Sequence, residues 1–333
     1  MMMNHYDLQL FAGEMNTQTT GTLSAEMKTY YGMELLENAK PQLVHNQFAA
    51  TKGLPVGGGK TVEWRKFGSF DKALTPLTEG VTPDGSGITV SYITKELAQY
   101  GDYTTVSDML DLTAIDDVVL EITDRHGANM GLTLDTVTRN EIVQGNQVIY
   151  APKADGTEIT SRSELDATCK LTGELVAKAA TALKKMNAPK FDGKYICIIH
   201  PSVAFDLRQD EAWLAAHQYA AATELFNGEI GELHGVRFIE NPFAPVLKGE
   251  YVNKAGTATY ATFFFGKEGF GIVDPEGGAM EMIIKTKEQV GGPLNQFSTI
   301  GYKFETNGVK LLYPERVVRV MSCSSYSAVD EVN

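Results

Sequence analysis

Hydrophobic and polar residues alternate in two stretches early in the chain, and such alternation is typical of strands that bury one face. The first stretch is Thr61–Phe67 and the second is residues 88–94. About twenty residues rich in glycine and proline separate them, which is far more than the roughly 2 to 5 of an ordinary hairpin loop. A two-stranded projection is only marginally stable alone in water, so we expect this one to rest on another subunit.

The strongest helical periodicity lies in residues 108–144. Seven apolar side chains and one histidine recur there every three or four positions, at Leu112, Ile115, Val119, Ile122, His126, Met130, Leu134 and Val137. This spacing predicts one long helix, in which Gly127 and Gly131 indicate a bend or the close approach of another backbone. No second histidine or carboxylate stands at ligand spacing from His126, so we interpret it as a packed core residue.

Two further helices are predicted, one on each side of this segment. One covers residues 163–186 and ends at Asn187 and Pro189. The other covers residues 24–38, within the polar first fifty residues of the chain. The first twenty residues have little apolar surface to bury, so we expect an arm that becomes ordered only against a partner.

Residues 194–242 predict a strand, a helix, a bend and a second strand. The first strand is an apolar run closed by His200 and Pro201, and Ser202 is predicted to cap the helix that follows. That helix carries three large apolar residues, Phe205, Trp213 and Leu214. The bend is assigned to Gly228 and Gly231, and the second strand to the alternating residues Val236, Phe238 and Glu240 after Gly235.

The last quarter of the chain consists of short β-rich segments separated by glycine and proline. They are Thr259–Phe265 and residues 269–273, 280–285, 296–305 and 309–321, the last interrupted by Pro314. The fold class that these patterns predict is α+β, with one long helix and the strands clustered elsewhere.

Composition narrows the functional classes. Lysine and arginine number 29 against 42 aspartates and glutamates, a formal charge of −13, and no basic cluster is visible. This balance counts against high-affinity DNA binding, which needs clustered positive charge to neutralise phosphates. The three cysteines, Cys169, Cys197 and Cys323, are far apart, so we expect neither a disulfide framework nor a zinc site. No apolar stretch approaches the length of a membrane span, and residues 1–12 lack the basic start of a signal peptide.

One glycine-rich segment invites a nucleotide-binding interpretation. Residues 57–61 read Gly-Gly-Gly-Lys-Thr, as at the end of a phosphate-binding loop. That motif needs glycine at the position of Leu54, with a strand before the loop and a helix after it, whereas here Thr61 begins a strand. We therefore infer that these glycines allow the backbone to turn sharply into the hairpin.

The remaining candidate motifs have plain structural interpretations. Residues 266–271 are rich in glycine but do not match a dinucleotide fingerprint. The histidines His200, His217 and His234 lack metal-ligand spacing, and the acidic pairs Asp116–Asp117 and Asp210–Glu211 are typical of solvated helix faces. Ser202 follows proline and not the glycine of a nucleophile elbow. The sequence thus predicts no catalytic residue, no cofactor and no metal.

Four blocks of sequence, in this order and spacing, carry a resemblance to a known family. They are residues 37–43 (ENAKPQL), 77–83 (LTEGVTP), 226–241 (FNGEIGELHGVRFIEN), and 296–303 (QFSTIGYK) together with 314–319 (PERVVR). The chain resembles the major capsid proteins of tailed bacteriophages, specifically the N4-like family.

The resemblance implies the HK97-like fold, and the predicted elements are assigned to its parts. Residues 1–52 would form the N-terminal arm and 53–105 the extended hairpin called the E-loop. Residues 106–191 would form the peripheral domain, with its spine helix at 108–144. Residues 192–295 would form the axial domain. Residues 296–333 would form strands that return to the peripheral domain.

The resemblance also implies function and partners. Such a chain is a structural protein, not an enzyme, whose copies form pentamers and hexamers in an icosahedral shell around double-stranded DNA. Contacts between subunits would involve Phe70, Asp71 and Glu79 in the E-loop. Further implied partners are a portal protein, a decoration protein and the packaged DNA, held by weak non-specific contact to an acidic wall. The implied location is the virion capsid, assembled in the bacterial cytoplasm without a membrane.

One departure and two alternatives accompany this interpretation. Some HK97-like proteins carry a long N-terminal scaffolding domain, for which this sequence has no room, so we expect a separate scaffolding protein. An encapsulin-like compartment shell would have the same fold. A nucleotide-binding enzyme that uses residues 57–61 is the alternative from another functional class.

Overall fold

The structure is a computed structural model. It describes residues 43–55, 58–68, 87–113, 118–219, 229–248, 256–275, 281–291, 294–306 and 308–333, and scattered positions between 70 and 85. The strands are β1 (Ala50–Leu54), β2 (Thr61–Phe67), β3 (Val90–Glu96), β4 (Ala98–Ser107), β5 (Gln147–Tyr150), β6 (Tyr195–Ile199), β7 (Glu229–Leu233), β8 (Val236–Glu240), β9 (Val246–Leu247), β10 (Thr259–Phe265), β11 (Phe270–Pro275), β12 (Glu281–Lys285), β13 (Phe297–Thr306), β14 (Lys310–Leu311) and β15 (Val317–Ser322). The helices are α1 (Asp108–Thr113), α2 (Val118–Val143), α3 (Gly173–Lys185), α4 (Pro201–Arg208), α5 (Glu211–Tyr219) and α6 (Lys287–Val290).

The described chain divides into two compact units. The smaller one contains Gln99–Gly131 and Ala279–Phe304, and the larger one contains Leu43–Ala98, Leu132–Gly278 and Glu305–Asn333. The smaller unit holds a sheet in the order β12-β13-β4, and the division between the units lies within α2.

The core of the larger unit is a sheet in the order β5-β15-β10-β6-β8-β7, with β9 also paired to β10. Strand β10 lies between β15 and β6 and is antiparallel to both. All seven of its residues are buried, among them Phe263, Phe264 and Phe265. A strand that is covered on both faces needs a continuous apolar run and not alternation. The prediction of a strand at Thr259–Phe265 is therefore confirmed.

Two smaller sheets and one hairpin complete the strand pairing. The order β1-β11-β14 forms one sheet, in which β1 spans the boundary between the residues assigned to the arm and those assigned to the E-loop. The hairpin is antiparallel, and β2 coincides with the predicted Thr61–Phe67. Its partner β3 begins at Val90, two residues after the predicted start. The predicted interruption of the last strand at Pro314 is also confirmed, since a 3₁₀ helix at Pro314–Arg316 separates β14 from β15.

The predicted long helix is present as α1 and α2, and the residues between them lie outside the described part. Its apolar stripe is confirmed, because His126, Met130 and Leu134 are buried. The His126 ring packs edge-on against Tyr302 at 5.4 Å, and its Nε2 lies 3.1 Å from the Thr104 hydroxyl. His126 is therefore the packed core residue that the sequence predicted.

The prediction that the next helix begins at Ser163 is wrong. Only a 3₁₀ turn, Arg162–Glu164, forms there, and α3 begins at Gly173. Between them the Asp166 carboxylate accepts a hydrogen bond of 2.9 Å from the Thr168 amide, a local turn that competes with helical pairing. The predicted end is confirmed, because Asn187 has a φ of 52° and terminates the helix.

The prediction that Ser202 caps the helix after β6 is also wrong. His200 is the N-cap, and its Nδ1 accepts a hydrogen bond of 3.2 Å from the Ser202 amide. Proline at the first helical position starts α4, as its fixed φ favours. The Ser202 hydroxyl instead donates to Asp330 at 2.8 Å.

The single helix predicted after Ser202 is two helices, α4 and α5, and Trp213 is buried while Phe205 and Leu214 are exposed. Asp210 lies between them. Its carboxylate accepts hydrogen bonds from the Ala212 and Gly173 amides, so the interpretation of Asp210 as a solvated side chain is wrong.

Five other residues that the sequence singled out lie near this region or between α1 and α2. Gly231 does not form a bend but lies inside β7 at an irregularity of the β7–β8 pairing. Gly228 and the side chains of Asp116, Asp117 and His217 lie outside the described residues.

Candidate assembly surface

The β2–β3 hairpin has two chemically different faces. Alternation places Val62, Trp64 and Lys66 on one face of β2, opposite Lys95, Ile93 and Ser91 of β3. Five of these six residues are buried or half-buried, and we call this side the inner hairpin face. The opposite side carries Arg65, Phe67, Val90 and Tyr92, all of them exposed, and we call it the outer hairpin face.

The outer hairpin face exposes large apolar side chains to water. Phe67 and Tyr92 are each 59% exposed, and the Arg65 guanidinium lies 5.9 Å from the centre of the Tyr92 ring. Aromatic residues and arginine are enriched at protein–protein interfaces, and a contiguous apolar patch with a polar rim marks such a site. This face is therefore the strongest candidate for a docking surface on the hairpin.

The predicted contact residues lie beyond the paired part of the hairpin. Phe70 is 60% exposed, Leu74 beside it in the sequence is 81% exposed, and Glu79 is also exposed. Asp71 lies outside the described residues. Phe70 and Leu74 are thus further exposed apolar side chains in the segment that joins β2 to β3.

On the inner hairpin face, Lys66 bonds to the body of its own subunit. Its Nζ donates to the Glu315 carboxylate at 2.7 Å and lies 4.4 Å from the centre of the Tyr313 ring. Arg316 covers the same ring at 3.7 Å and pairs with Glu268 at 3.0 Å. Burial raises the pKa of Glu315, but the hydrogen bond and charge of Lys66, the backbone and Arg316 outweigh it, so this pKa lies below its usual range.

The second strand of the hairpin makes an equivalent contact. Lys95 Nζ lies 3.3 Å from the Glu141 carboxylate at the end of α2, and Lys310 donates to the same carboxylate at 2.9 Å. Glu141 is nearly buried, whereas both lysines keep 37% of their side-chain surface exposed. The two lysines therefore neutralise the charge of Glu141, whose carboxylate is poorly hydrated because it is nearly buried.

A buried, hydrogen-bonded histidine–aspartate pair fixes the segment just before β1. His45 and Asp135 are 0% and 1% exposed, and the Asp135 carboxylate accepts from both the amide and Nδ1 of His45 at 2.7 Å. The Asn241 amide lies 3.5 Å from the same carboxylate. The last turns of α2 therefore bury polar side chains such as Asp135. The apolar pattern of the sequence does not reveal this burial.

The residues considered for chemistry do not converge on a reactive centre. Lys60 is exposed and β2 follows it directly, so the strand–loop–helix context of a phosphate-binding loop is absent at these described residues. His234 is exposed in the β7–β8 turn, while His200 packs on Tyr260 at 4.9 Å. Within the described ranges, no group of three or more His, Cys, Asp and Glu side chains could hold a metal ion.

The three cysteines, Cys169, Cys197 and Cys323, are free and buried. Burial raises the pKa of Cys169 to about 11 and also raises that of Cys197. As far as the structure describes the chain, its helices are too short or too polar to cross a bilayer.

Residues 91–317 match the family of phage capsid proteins. The chain belongs to this family. Among curated proteins, none matches it significantly. The function of this phage capsid protein is structural: it is a major capsid protein and forms the shell of an icosahedral virion.

Solved capsid structures show the fold of this phage capsid protein. The capsid of cyanophage Pam1 is 15% identical with a TM-score of 0.65, and the match covers 88% of this chain and 93% of that one. The capsid of Ralstonia phage GP4 is 14% identical with a TM-score of 0.63 and coverages of 87% and 90%. The capsid of cyanophage P-SCSP1u is 14% identical with a TM-score of 0.63, and the match covers 85% of this chain and 89% of that one. The predicted HK97-like α+β fold is confirmed.

The sequence located the hairpin of this phage capsid protein but missed the groups that attach it. The sequence does give one indication of these groups: strand alternation alone places Lys66 and Lys95 on the same face as the apolar residues Trp64 and Ile93. Lysine on a face that is otherwise apolar indicates an acidic partner nearby. The identity of that partner depends on residues about 50 and 250 positions away, which no local pattern reveals.

Proposed function

We propose that this chain is a major capsid protein of N4-like type whose copies assemble as pentamers and hexamers around a double-stranded DNA genome. The observation that carries this proposal is the outer hairpin face, an exposed aromatic surface that the described residues of its own subunit do not cover. A two-stranded hairpin is marginal alone, and a neighbouring copy supplies the cover.

We assign the parts as the resemblance implies. Residues 1–52 form the arm, 53–105 the E-loop, 106–191 the peripheral domain with the spine helix, 192–295 the axial domain, and 296–333 the returning strands. The position of β2 and β3 within 53–105 and the 26-residue length of α2 support these assignments.

Subunit contacts are made by Phe70, Asp71 and Glu79 together with the outer hairpin face. The exposure of Phe70 and Glu79 supports this, because exposed apolar and charged groups are available to a neighbour. The role is structural, and no reaction is assigned to the chain.

The proposed partners beyond the shell are a portal protein, a separate scaffolding protein, a decoration protein and the packaged genome. The formal charge of −13 supports weak, non-specific contact with DNA, because an acidic wall does not adhere to phosphates. Assembly is assigned to the cytoplasm of the bacterial host.

Deleting residues 68–87 tests the role of the hairpin. We expect the shortened chain to unfold at nearly the same urea concentration as the intact chain, because the deleted residues contribute no strand to the core sheet. Negative-stain electron microscopy should show shells for the intact chain and none for the deletion. Normal shells from the deleted chain would refute the proposal.

A further inference from the structure

On each strand of the hairpin, one lysine pairs with a carboxylate of its own subunit. Lys66 of β2 bonds to Glu315, and Lys95 of β3 bonds to Glu141. Both lysines lie on the inner hairpin face, and the two attachment points are separated along the hairpin. Lys95 is opposite Val62 near the base, whereas Lys66 is opposite Ser91 near the tip end of the ladder.

The contact near the tip end of the ladder is a cluster of charged and aromatic groups. Lys66 Nζ and the Arg316 guanidinium both approach the Tyr313 ring, at 4.4 and 3.7 Å from its centre. Glu315 faces Lys66, and Glu268 faces Arg316. The hairpin contributes Lys66 alone to this cluster, and the body contributes the rest.

We propose that Lys66–Glu315 and Lys95–Glu141 form an electrostatic latch that sets the angle of the hairpin on its own subunit, and that salt or acid releases it. The inference deepens the proposed function and rests on it, since the angle of the hairpin determines where the outer hairpin face can meet a neighbouring copy.

Partial exposure makes the latch responsive to ionic strength. The side chains of Lys66 and Glu315 keep 32% and 38% of their surface exposed, so dissolved ions screen their attraction. The base contact differs, because Glu141 is nearly buried and Lys310 neutralises it from the body side. Salt therefore weakens the tip contact first, and the base contact then acts as the hinge.

Acid acts in the same direction on the tip contact. The groups that face Glu315 are Lys66 on the hairpin and Tyr313 and Arg316 on its own segment, while Glu268 lies on the far side of Arg316. The depressed pKa of Glu315 means that its stabilising charge is present at neutral pH and is lost as pH falls through the folded-state value. Protonated Glu315 no longer attracts Lys66, and the hairpin is released.

The latch can be measured by the distance between two spin labels on the unassembled full chain. Thr94→Cys places one label on the exposed side of β3, and Glu174→Cys places the other on an exposed position of α3. The three native cysteines are buried, so the two introduced cysteines take the label. At neutral pH and low salt we expect one narrow distance distribution, which broadens and shifts at high salt and at acidic pH.

Matched variants identify the residues responsible. Glu315→Gln should reproduce the broad distribution at neutral pH and low salt, whereas Glu268→Gln, in the same cluster but not touching the hairpin, should leave it narrow. Lys95→Met tests the base contact and should broaden the distribution further in the Glu315→Gln background. The exchange of charges in Lys66→Glu with Glu315→Lys should restore the narrow distribution.

Equal distributions for Glu315→Gln and Glu268→Gln, or a charge exchange that fails to restore the distance, would overturn the latch. Because the distance is measured before assembly, these outcomes do not depend on shell formation. Electron microscopy of the unlabelled variants tests the proposed function separately. Shells that form at the same rate with the latch broken would leave the distance result standing and remove its role in assembly.

Discussion

Asp135 shows how a single buried carboxylate can hold two distant segments together. It accepts two hydrogen bonds from His45, and Asn241 approaches it from a third segment, while the ring of His45 lies edge-on to Phe263 at 6.1 Å. Removing one partner of a buried pair leaves the other without compensation for its lost hydration. The segment before β1 therefore depends on this residue for its position.

Replacing Asp135 with alanine should lower the free energy of unfolding by about 3 to 5 kcal/mol, because His45 would remain buried without its acceptor. Urea titration of the full chain provides the measurement. The control is Glu174→Ala, which removes a carboxylate whose side chain is 78% exposed and should change stability by less than about 0.5 kcal/mol. Similar losses for the two variants would contradict the role of Asp135.

Asp330 makes stability depend on pH. Burial raises its pKa, but hydrogen bonds from Ser327, Tyr260 and Ser202 and the charge of His200 outweigh burial, so the pKa lies below its ordinary value. A depressed carboxylate pKa gives stability that is present near neutrality and lost as pH falls through the folded-state value. We expect Asp330→Asn to be less stable than the parent at pH 7 and the difference to shrink below about pH 4. Urea titrations across this range would reveal a constant difference if Asp330 did not titrate in this way.

The buried thiols predict a labelling pattern. Thiol reagents attack the thiolate, and burial both raises the pKa of Cys169 to about 11 and shields all three cysteines. We expect dithionitrobenzoate to react slowly with the native chain at pH 8 and to release three equivalents in denaturant, matching the three cysteines of the sequence. Rapid reaction of the native chain would show that the core opens far more readily than its packing implies.

At the scale of elements, β13 and β4 approach each other closely at a glycine. A β-carbon at Gly301 would lie 2.7 Å from both the Asp102 carbonyl oxygen and the Tyr103 β-carbon. The backbone of β4 occupies this space and cannot rotate away as a flexible side chain would. Only glycine therefore permits this approach.

Gly301→Ala should destabilise the chain by about 1 to 3 kcal/mol through overpacking. Gly53→Ala provides the control, since a β-carbon there has nothing within 4 Å, and we expect little change. Thermal unfolding of both variants beside the parent gives the comparison. A stable Gly301→Ala protein would show that the two strands can separate at no cost.

Local patterns predicted elements well where neighbouring residues decide the outcome. The alternation of β2 and the apolar run of β10 require only their own residues, and both strands were predicted with the bounds that the structure has. The start of α3 and the cap of α4 could not be predicted in this way. They depend on the Asp166 turn and on the ring of His200, which acts as an acceptor although histidine is an unusual cap.

At the scale of the molecule, the outer hairpin face is the candidate surface for contact between subunits. Of the candidate site, the sequence predicted the hairpin, but not the division of β2 and β3 into an exposed face and a face attached to its own subunit. That division depends on the body of the subunit, because only burial by distant residues distinguishes the two alternating faces. Alternation in the sequence indicates that a strand has two different faces, but it does not indicate which face the rest of the subunit covers.

The double variant Phe67→Ser with Tyr92→Ser should fold with nearly unchanged stability and form far fewer shells, because it removes exposed apolar area that only a second copy would cover. Thr94→Ser, on the same side of β3, is the control and should form shells normally. Sizing chromatography and electron microscopy of both proteins provide the readout. Equal shell yields would place the subunit contact elsewhere.

The strand order of the core sheet has a consequence for synthesis on the ribosome. Strand β15 lies between β5 and β10, although it comes last of these in the chain, and β5 has no other partner in the sheet order. The core therefore cannot close until residue 322 has been translated and has left the exit tunnel, well after the hairpin has emerged. Translation order thus keeps a nascent chain out of the shell, because the body that must carry the hairpin forms only after β15 has been made.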